Sequence, residues 1–226
     1  MADTLLTISV WVLPVVIAIT LHEAAHGFVA WRLGDDTAKR LGRVTFNPLK
    51  HVDPLGTFVL PGLLLLLQSP FLFGYAKPVP VNFGALRNPR RDMVWVALAG
   101  PGTNLTLAVI SALLIHVAVL IPGVTGAWVQ QNLFNSLLIN LVLAVFNMLP
   151  LPPLDGGRVA VGLLPRELAM RLARVERYGL LILIGLIFIL PMIAGQLGIK
   201  FNLLVWVIGI PVELLFQIIA TLTGLA

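Results

Sequence analysis

The sequence predicts an all-α polytopic membrane protein, and three observations carry that reading. Of its 226 residues, 58% are hydrophobic and 11% charged, where a soluble domain carries about 25% charged residues. Apolar runs of spanning length recur along the chain, each long enough to cross about 30 Å of hydrocarbon as a helix. The basic residues cluster between those runs rather than inside them, as they do in cytoplasmic loops. Lipid headgroups explain the net charge of +5 better than nucleic acid does. With no cysteine, disulfides, thiolate metal ligands and a thiol nucleophile are excluded.

Five spans are expected, at about 5–31, 95–121, 130–149, 178–194 and 201–222. The first follows Met1-Ala2-Asp3-Thr4, which lacks the positive n-region of a cleavable signal peptide, so it is read as a retained helix. The second and third are separated by the turn Ile121-Pro122-Gly123, and the fourth and fifth by Gly195-Gln196-Leu197-Gly198. Between the first two lies a shorter apolar piece, Thr57 to Tyr75, broken by Pro61-Gly62 and by Gln68-Ser69-Pro70. Arg32, Lys39, Arg40, Arg43 and Lys50 precede it, and Lys77, Arg87, Arg90 and Arg91 follow it. Both flanks are basic and belong on the cytoplasmic side, so 57–75 reads as a re-entrant hairpin. With that choice only Lys200 of the 15 Lys and Arg residues falls outside. The N-terminus is then expected outside and the C-terminus in the cytoplasm. Leu41 to Phe46 and Lys77 to Val81 have extended character. They suggest a small membrane-associated β-sheet whose edge could receive an unwound peptide as an added strand. No repeat, low-complexity tract or separate soluble domain is visible, so residues 1–226 are read as one domain.

Chemistry enters at His22-Glu23-Ala24-Ala25-His26. On a helix, residues i and i+4 share a face, so His22 and His26 can aim two imidazole nitrogens at one zinc ion. Glu23 sits beside that face, where a carboxylate can take a proton from an activated water. From Leu5 to Trp31 these three are the only ionisable side chains, and ionisable groups inside a membrane helix are costly and usually functional. A catalytic zinc needs a third protein ligand. Asp155 in Leu154-Asp155-Gly156-Gly157, after the proline-rich end of the third span, is one candidate, and Glu213 in the last span is its rival. Glu176, between Arg174 and Arg177, reads as a solvated charge. Asn104 and Asn147 are candidate catalytic amides for a tetrahedral oxyanion; Asn140 is a weaker one, and His51 and His116 read as supporting residues.

Three segments together resemble the site-2 protease family of intramembrane zinc metalloproteases. They are His22-Glu23-Ala24-Ala25-His26-Gly27, then Leu98-Ala99-Gly100-Pro101-Gly102-Thr103-Asn104, then Asn147 through Asp155-Gly156-Gly157. The chain looks like the compact branch without a PDZ domain. The resemblance implies His22, His26 and Asp155 as metal ligands for one Zn2+ per chain, with Glu23 as the base. It also implies a three-helix catalytic core formed by the first three spans, with two C-terminal spans added. The expected activity is hydrolysis of peptide bonds in or near transmembrane segments of single-pass membrane proteins, in a prokaryotic cell membrane and toward its cytoplasmic face. Oligomeric state is left open. Two other readings are carried with it: a membrane zincin acting on loops of misfolded proteins, for which Glu213 would be the ligand, and a metal transporter.

Overall fold

The structure is a computed structural model that describes residues 2–59, 63, 66, 76–197 and 205–225, with the backbone alone at 2–5, 7 and 58. Its elements are α1 (Ala2–Arg32), α2 (Thr37–Arg40), α3 (Pro89–Ala118), α4 (Gly123–Asn147), α5 (Asp155–Leu163), α6 (Arg166–Ile184), α7 (Leu190–Gln196) and α8 (Ile210–Thr223). Short 3-10 turns lie at Pro48–Lys50 and Phe83–Ala85, and π-helical stretches at Pro54–Val59, Gly185–Ile189 and Val205–Gly209. Among the described residues, five stretches are long and apolar enough to cross a membrane: Ile8–Arg32, Pro89–Ala118, Gly123–Asn147, Arg166–Gln196 and Val205–Thr223. The multi-pass α-helical architecture is thus the one the sequence predicts.

Two helices start earlier than their apolar runs. Pro89 stands in the first turn of α3, where its missing N–H costs nothing, and Asp92 Oδ2 accepts from the Asn88 amide at 2.8 Å. Helix α6 begins with twelve residues rich in arginine before its apolar part, because helix-forming residues extend it beyond the stretch that hydropathy detects.

Helices α1, α3 and α4 pack against one another through small residues. Ala18, Ala30, Ala108 and Ala112 are fully buried, and small side chains let helix backbones approach where lipid offers no hydrophobic drive. The larger apolar groups, such as Trp11, Val12, Leu113 and Leu181, face outward. Pro14 lies inside α1 and cannot bond the Val10 carbonyl one turn back. The buried Asn135 of α4 supplies the missing donor, Nδ2 to Val10 O at 2.8 Å, and Trp128 Nε1 donates to Ser9 Oγ at 2.8 Å. Arg90 of α3 donates to the Gly162 and Leu164 carbonyls and so caps the C-terminal end of α5.

Of three further expectations, one falls largely outside the described residues and two meet a different outcome. The re-entrant hairpin at 57–75 lies, apart from 57–59, 63 and 66, outside the described residues. No strand occurs among the described residues, so 41–46 and 77–81 form no sheet there. Pro78 and Pro80 lack N–H groups, the Lys77 N–H goes to His51 O at 2.9 Å, and the Val79 N–H goes to a side chain, Glu23 Oε2, at 2.7 Å. No amide from Lys77 to Pro80 is left for a ladder. The termini, expected on opposite faces, come to the same end of the bundle. Helix α8 runs antiparallel to α4: Val207 and Ile208 line an apolar cavity of about 200 Å³ with Phe146 and Leu149, Phe134 packs edge-on to Phe216 at 6.3 Å, and His116 Nε2 bonds Thr223 O at 2.8 Å. Thr223 thus lies at the end that also holds Ser9 and Trp128.

Candidate metal centre

One turn of α1 separates His22 from His26, and their Nε2 atoms stand 3.1 Å apart. Asp155, the first residue of α5, brings Oδ2 to 3.3 Å from each Nε2. One donor atom from each of the three lies within 4.8 Å of the others, and all three residues are buried. Backbone makes the room. A Cβ at Gly100 of α3 would stand 2.6 Å from His22 Nε2 and closer still to His26 Nε2, so only glycine lets α3 pass so near the imidazoles. A Cβ at Gly156 would overlap the Met148 carbonyl, and one at Gly157 the backbone of Leu151 and Pro152. The two glycines therefore let the 148–154 loop fold back tightly and deliver Asp155 to the histidines.

The chemistry of this donor set fits a metal ion. His26 Nδ1 lies 2.7 Å from Val96 O; a carbonyl only accepts, so Nδ1 carries a proton and Nε2 is the nitrogen turned to the metal position. His22 Nδ1 lies 2.6 Å from Asn104 Oδ1, which gives His22 the same tautomer. Apart from the two Nε2 atoms at 3.3 Å, Asp155 Oδ2 is buried without a hydrogen-bond partner among the described residues. With both rings neutral, two imidazole lone pairs and a carboxylate oxygen converge on one point, a repulsion that a cation there relieves. Ligands at about 2.0–2.1 Å from a tetrahedral zinc stand about 3.3 Å from each other, and the three separations match that spacing.

Glu23 is half-buried beside His22, with its Oε2 held by the Val79 amide. The extended segment around Val79 lies against α1, where a Cβ at Gly27 would meet Val79 Cγ1 at 3.0 Å and Val44 Cγ2 at 3.1 Å. Arg43 Nη2 fastens the segment by donating to Lys77 O at 2.6 Å. His51 Nε2 bonds Thr45 O at 3.0 Å and serves this loop rather than the metal-ligand cluster.

The two amides read as oxyanion donors are engaged in other bonds. Asn104 is across the imidazole ring from the converging donors, with its Oδ1 facing His22 Nδ1 and its Nδ2 donating to Asn140 Oδ1 at 2.7 Å. Its place is behind a ligand, not beside a reacting carbonyl. Asn147 Nδ2 donates to Leu143 O of its own helix at 3.0 Å, as polar side chains in apolar helices do when nothing else competes. Glu213 is exposed on α8, where it accepts from Gln217 Nε2 at 2.9 Å, and it does not join the cluster. Missed in the sequence were the Val96 carbonyl, the Val79 amide and the Ser136 carbonyl, which accepts from Asn140; all three act through backbone and leave no side-chain signature.

Comparison with known proteins agrees with this geometry. Residues 123–192 match the family model described as Peptidase family M50. The chain is 40% identical over 187 residues to YwhC of Bacillus subtilis (strain 168), covering 80% of each protein. It is 33% identical over 183 residues to Rip2 of Mycolicibacterium smegmatis, covering 81% of this chain and 66% of that one. It is 45% identical over 141 residues to MJ0611 of Methanocaldococcus jannaschii, covering 61% and 62%. All three are named as zinc metalloproteases. No solved structure matches the chain. With a relative of this identity and coverage, and a buried His-His-Asp set inside a bundle of apolar helices, the chain belongs to peptidase family M50, the site-2 protease family, as a multi-pass membrane zinc metalloprotease.

Proposed function

We propose that this metalloprotease hydrolyses peptide bonds in or beside transmembrane segments of single-pass membrane proteins. The observation that carries the reading is the depth of the donors: His22 and His26 lie within the spanning helix Ile8–Arg32, at 6% and 8% exposure. A peptide bond must come to membrane depth to meet them. His22, His26 and Asp155 hold the zinc, which when bound supplies Lewis acidity toward water and a peptide carbonyl. Glu23 accepts a proton from the attacking water as its oxygen adds to the carbonyl carbon, and returns a proton to the amine nitrogen as the C–N bond breaks. The Val79 amide holds Glu23 Oε2, leaving Oε1 to do this work. The basic ends of α1, α3 and α6 face the cytoplasm of a prokaryotic cell, which sets the centre on the cytoplasmic side of the bilayer.

The test is cleavage of a panel of transmembrane peptides by the full chain in detergent, with zinc content measured alongside. Glu23→Gln should keep one zinc per chain and lose at least about 100-fold in rate, while Asp155→Ala should lose zinc and activity together. Cleavage of soluble loop peptides in preference to transmembrane ones would overturn the assignment of substrate, and full activity in Glu23→Gln would overturn the assignment of the base.

A further inference from the structure

Behind His22 runs a chain of buried amides. Asn104 and Asn140 are both 0% exposed, on α3 and α4. Asn140 Nδ2 points at the Ser136 backbone carbonyl at 2.8 Å, and Ser136 Oγ, 3.3 Å from the same nitrogen, accepts from Ser111 Oγ at 2.8 Å. A backbone carbonyl can only accept. That makes it a fixed end from which every orientation up the chain follows. The NH2 of Asn140 must face Ser136, so its Oδ1 faces Asn104. The NH2 of Asn104 must then face Asn140, so its own Oδ1 faces His22. An acceptor at 2.6 Å from Nδ1 requires that nitrogen to carry a proton, and in the neutral ring this leaves the Nε2 lone pair facing Asp155 and His26. His26 gets the same result in one step, from Val96 O.

We propose that Asn104 and Asn140 are positioning residues: two carboxamides in series carry the polarity of the Ser136 carbonyl to His22 and fix which of its nitrogens can bind metal. No other tautomer of His22 satisfies the chain without turning a donor onto a donor or a carbonyl onto a carbonyl, and unsatisfied amides are costly at this depth. The relay also ties α1, α3 and α4 together at the level of the metal centre, so ring orientation and helix register are set by one set of bonds. Outer-shell partners of this kind hold about 10- to 100-fold of metal affinity.

This inference rests on the metal-centre reading of His22, and two measurements on the full chain separate them. The first is zinc affinity by competition with a chelating dye, for wild type, Asn104→Leu, Asn140→Leu and Asn135→Leu. Asn104→Leu should weaken zinc by about 10- to 100-fold and Asn140→Leu by less. Asn135→Leu, which removes a buried amide outside the relay, should leave zinc affinity unchanged. The second is the 15N spectrum of metal-free wild type at alkaline pH, which needs no variant and should show His22 protonated on Nδ1. Wild-type affinity in Asn104→Leu, equal weakening in Asn135→Leu, or a proton on His22 Nε2 each overturns the proposal. A wild type that binds no zinc, with His22 still protonated on Nδ1, overturns the metal-centre reading and leaves the relay in place.

Discussion

Helices α4 and α8 both pack on the core around Ala108 and Ala112, yet they use their polar side chains in opposite ways. Three of those on α4 reach other helices: Asn135 bonds Val10 O of α1, Asn140 bonds Asn104 of α3, and Ser136 meets Ser111 of α3. Those of α8 turn back on their own helix. Gln217 bonds Glu213, Thr221 bonds Gln217 O and Thr223 bonds Ile219 O. Between apolar helices in lipid, packing alone discriminates weakly between neighbouring registers, whereas a directional bond has one partner. The helices that carry the metal ligands are bonded into register, and α8 is held chiefly by shape.

Gly100→Ala should break this contrast most severely. The added methyl overlaps both imidazoles, and overpacking of this kind costs about 1–3 kcal/mol, or roughly 5- to 150-fold if read as zinc affinity. Zinc titration of the purified variant measures it, and unchanged affinity would mean that α3 can back away, contrary to a core bonded into register. Next in size is Asn135→Leu, which strands the Val10 carbonyl that Pro14 has freed. Interhelical bonds in membranes are worth about 0.6 kcal/mol on average and 1.7 at most, so unfolding in detergent should shift by that order. The smallest effect belongs to Gln217→Leu on α8, expected within about 0.5 kcal/mol of wild type. If Gln217→Leu destabilised the protein more than Asn135→Leu does, the distinction between the two helices would fail.

What could be read in the sequence was what is local. His22 and His26 share a face by helix geometry alone, so their pairing was legible without knowing any other part of the fold. Asp155 was different: its rivalry with Glu213 could not be decided from spacing, since either would need tertiary contacts to reach α1, and family resemblance rather than periodicity singled it out. The structure places Asp155 beside the histidines and Glu213 on an exposed face. Asn104 was noticed but given the wrong surroundings, because its partner His22 is 82 residues away and no local pattern says on which side of an imidazole an amide will fall. The extended character read in Lys77 to Val81 led to no strand, since β-propensity says nothing about where amides find acceptors, and here one found Glu23. The early start of α6 was hidden for a simpler reason: hydropathy detects the apolar part of a helix and is blind to a charged turn joined to it.

The unpartnered Oδ2 of Asp155 has a thermodynamic consequence. A folded state that gathers a carboxylate and two bare imidazole nitrogens in a dry interior is poorer in free energy without its ion than with it, while the unfolded chain has no such gathering to relieve. Ion binding is then linked to folding, and stability rises with the logarithm of free zinc, by about 2.7 kcal/mol when zinc stands at 100 times its dissociation constant. The melting temperature of this enzyme becomes a gauge of the zinc around it.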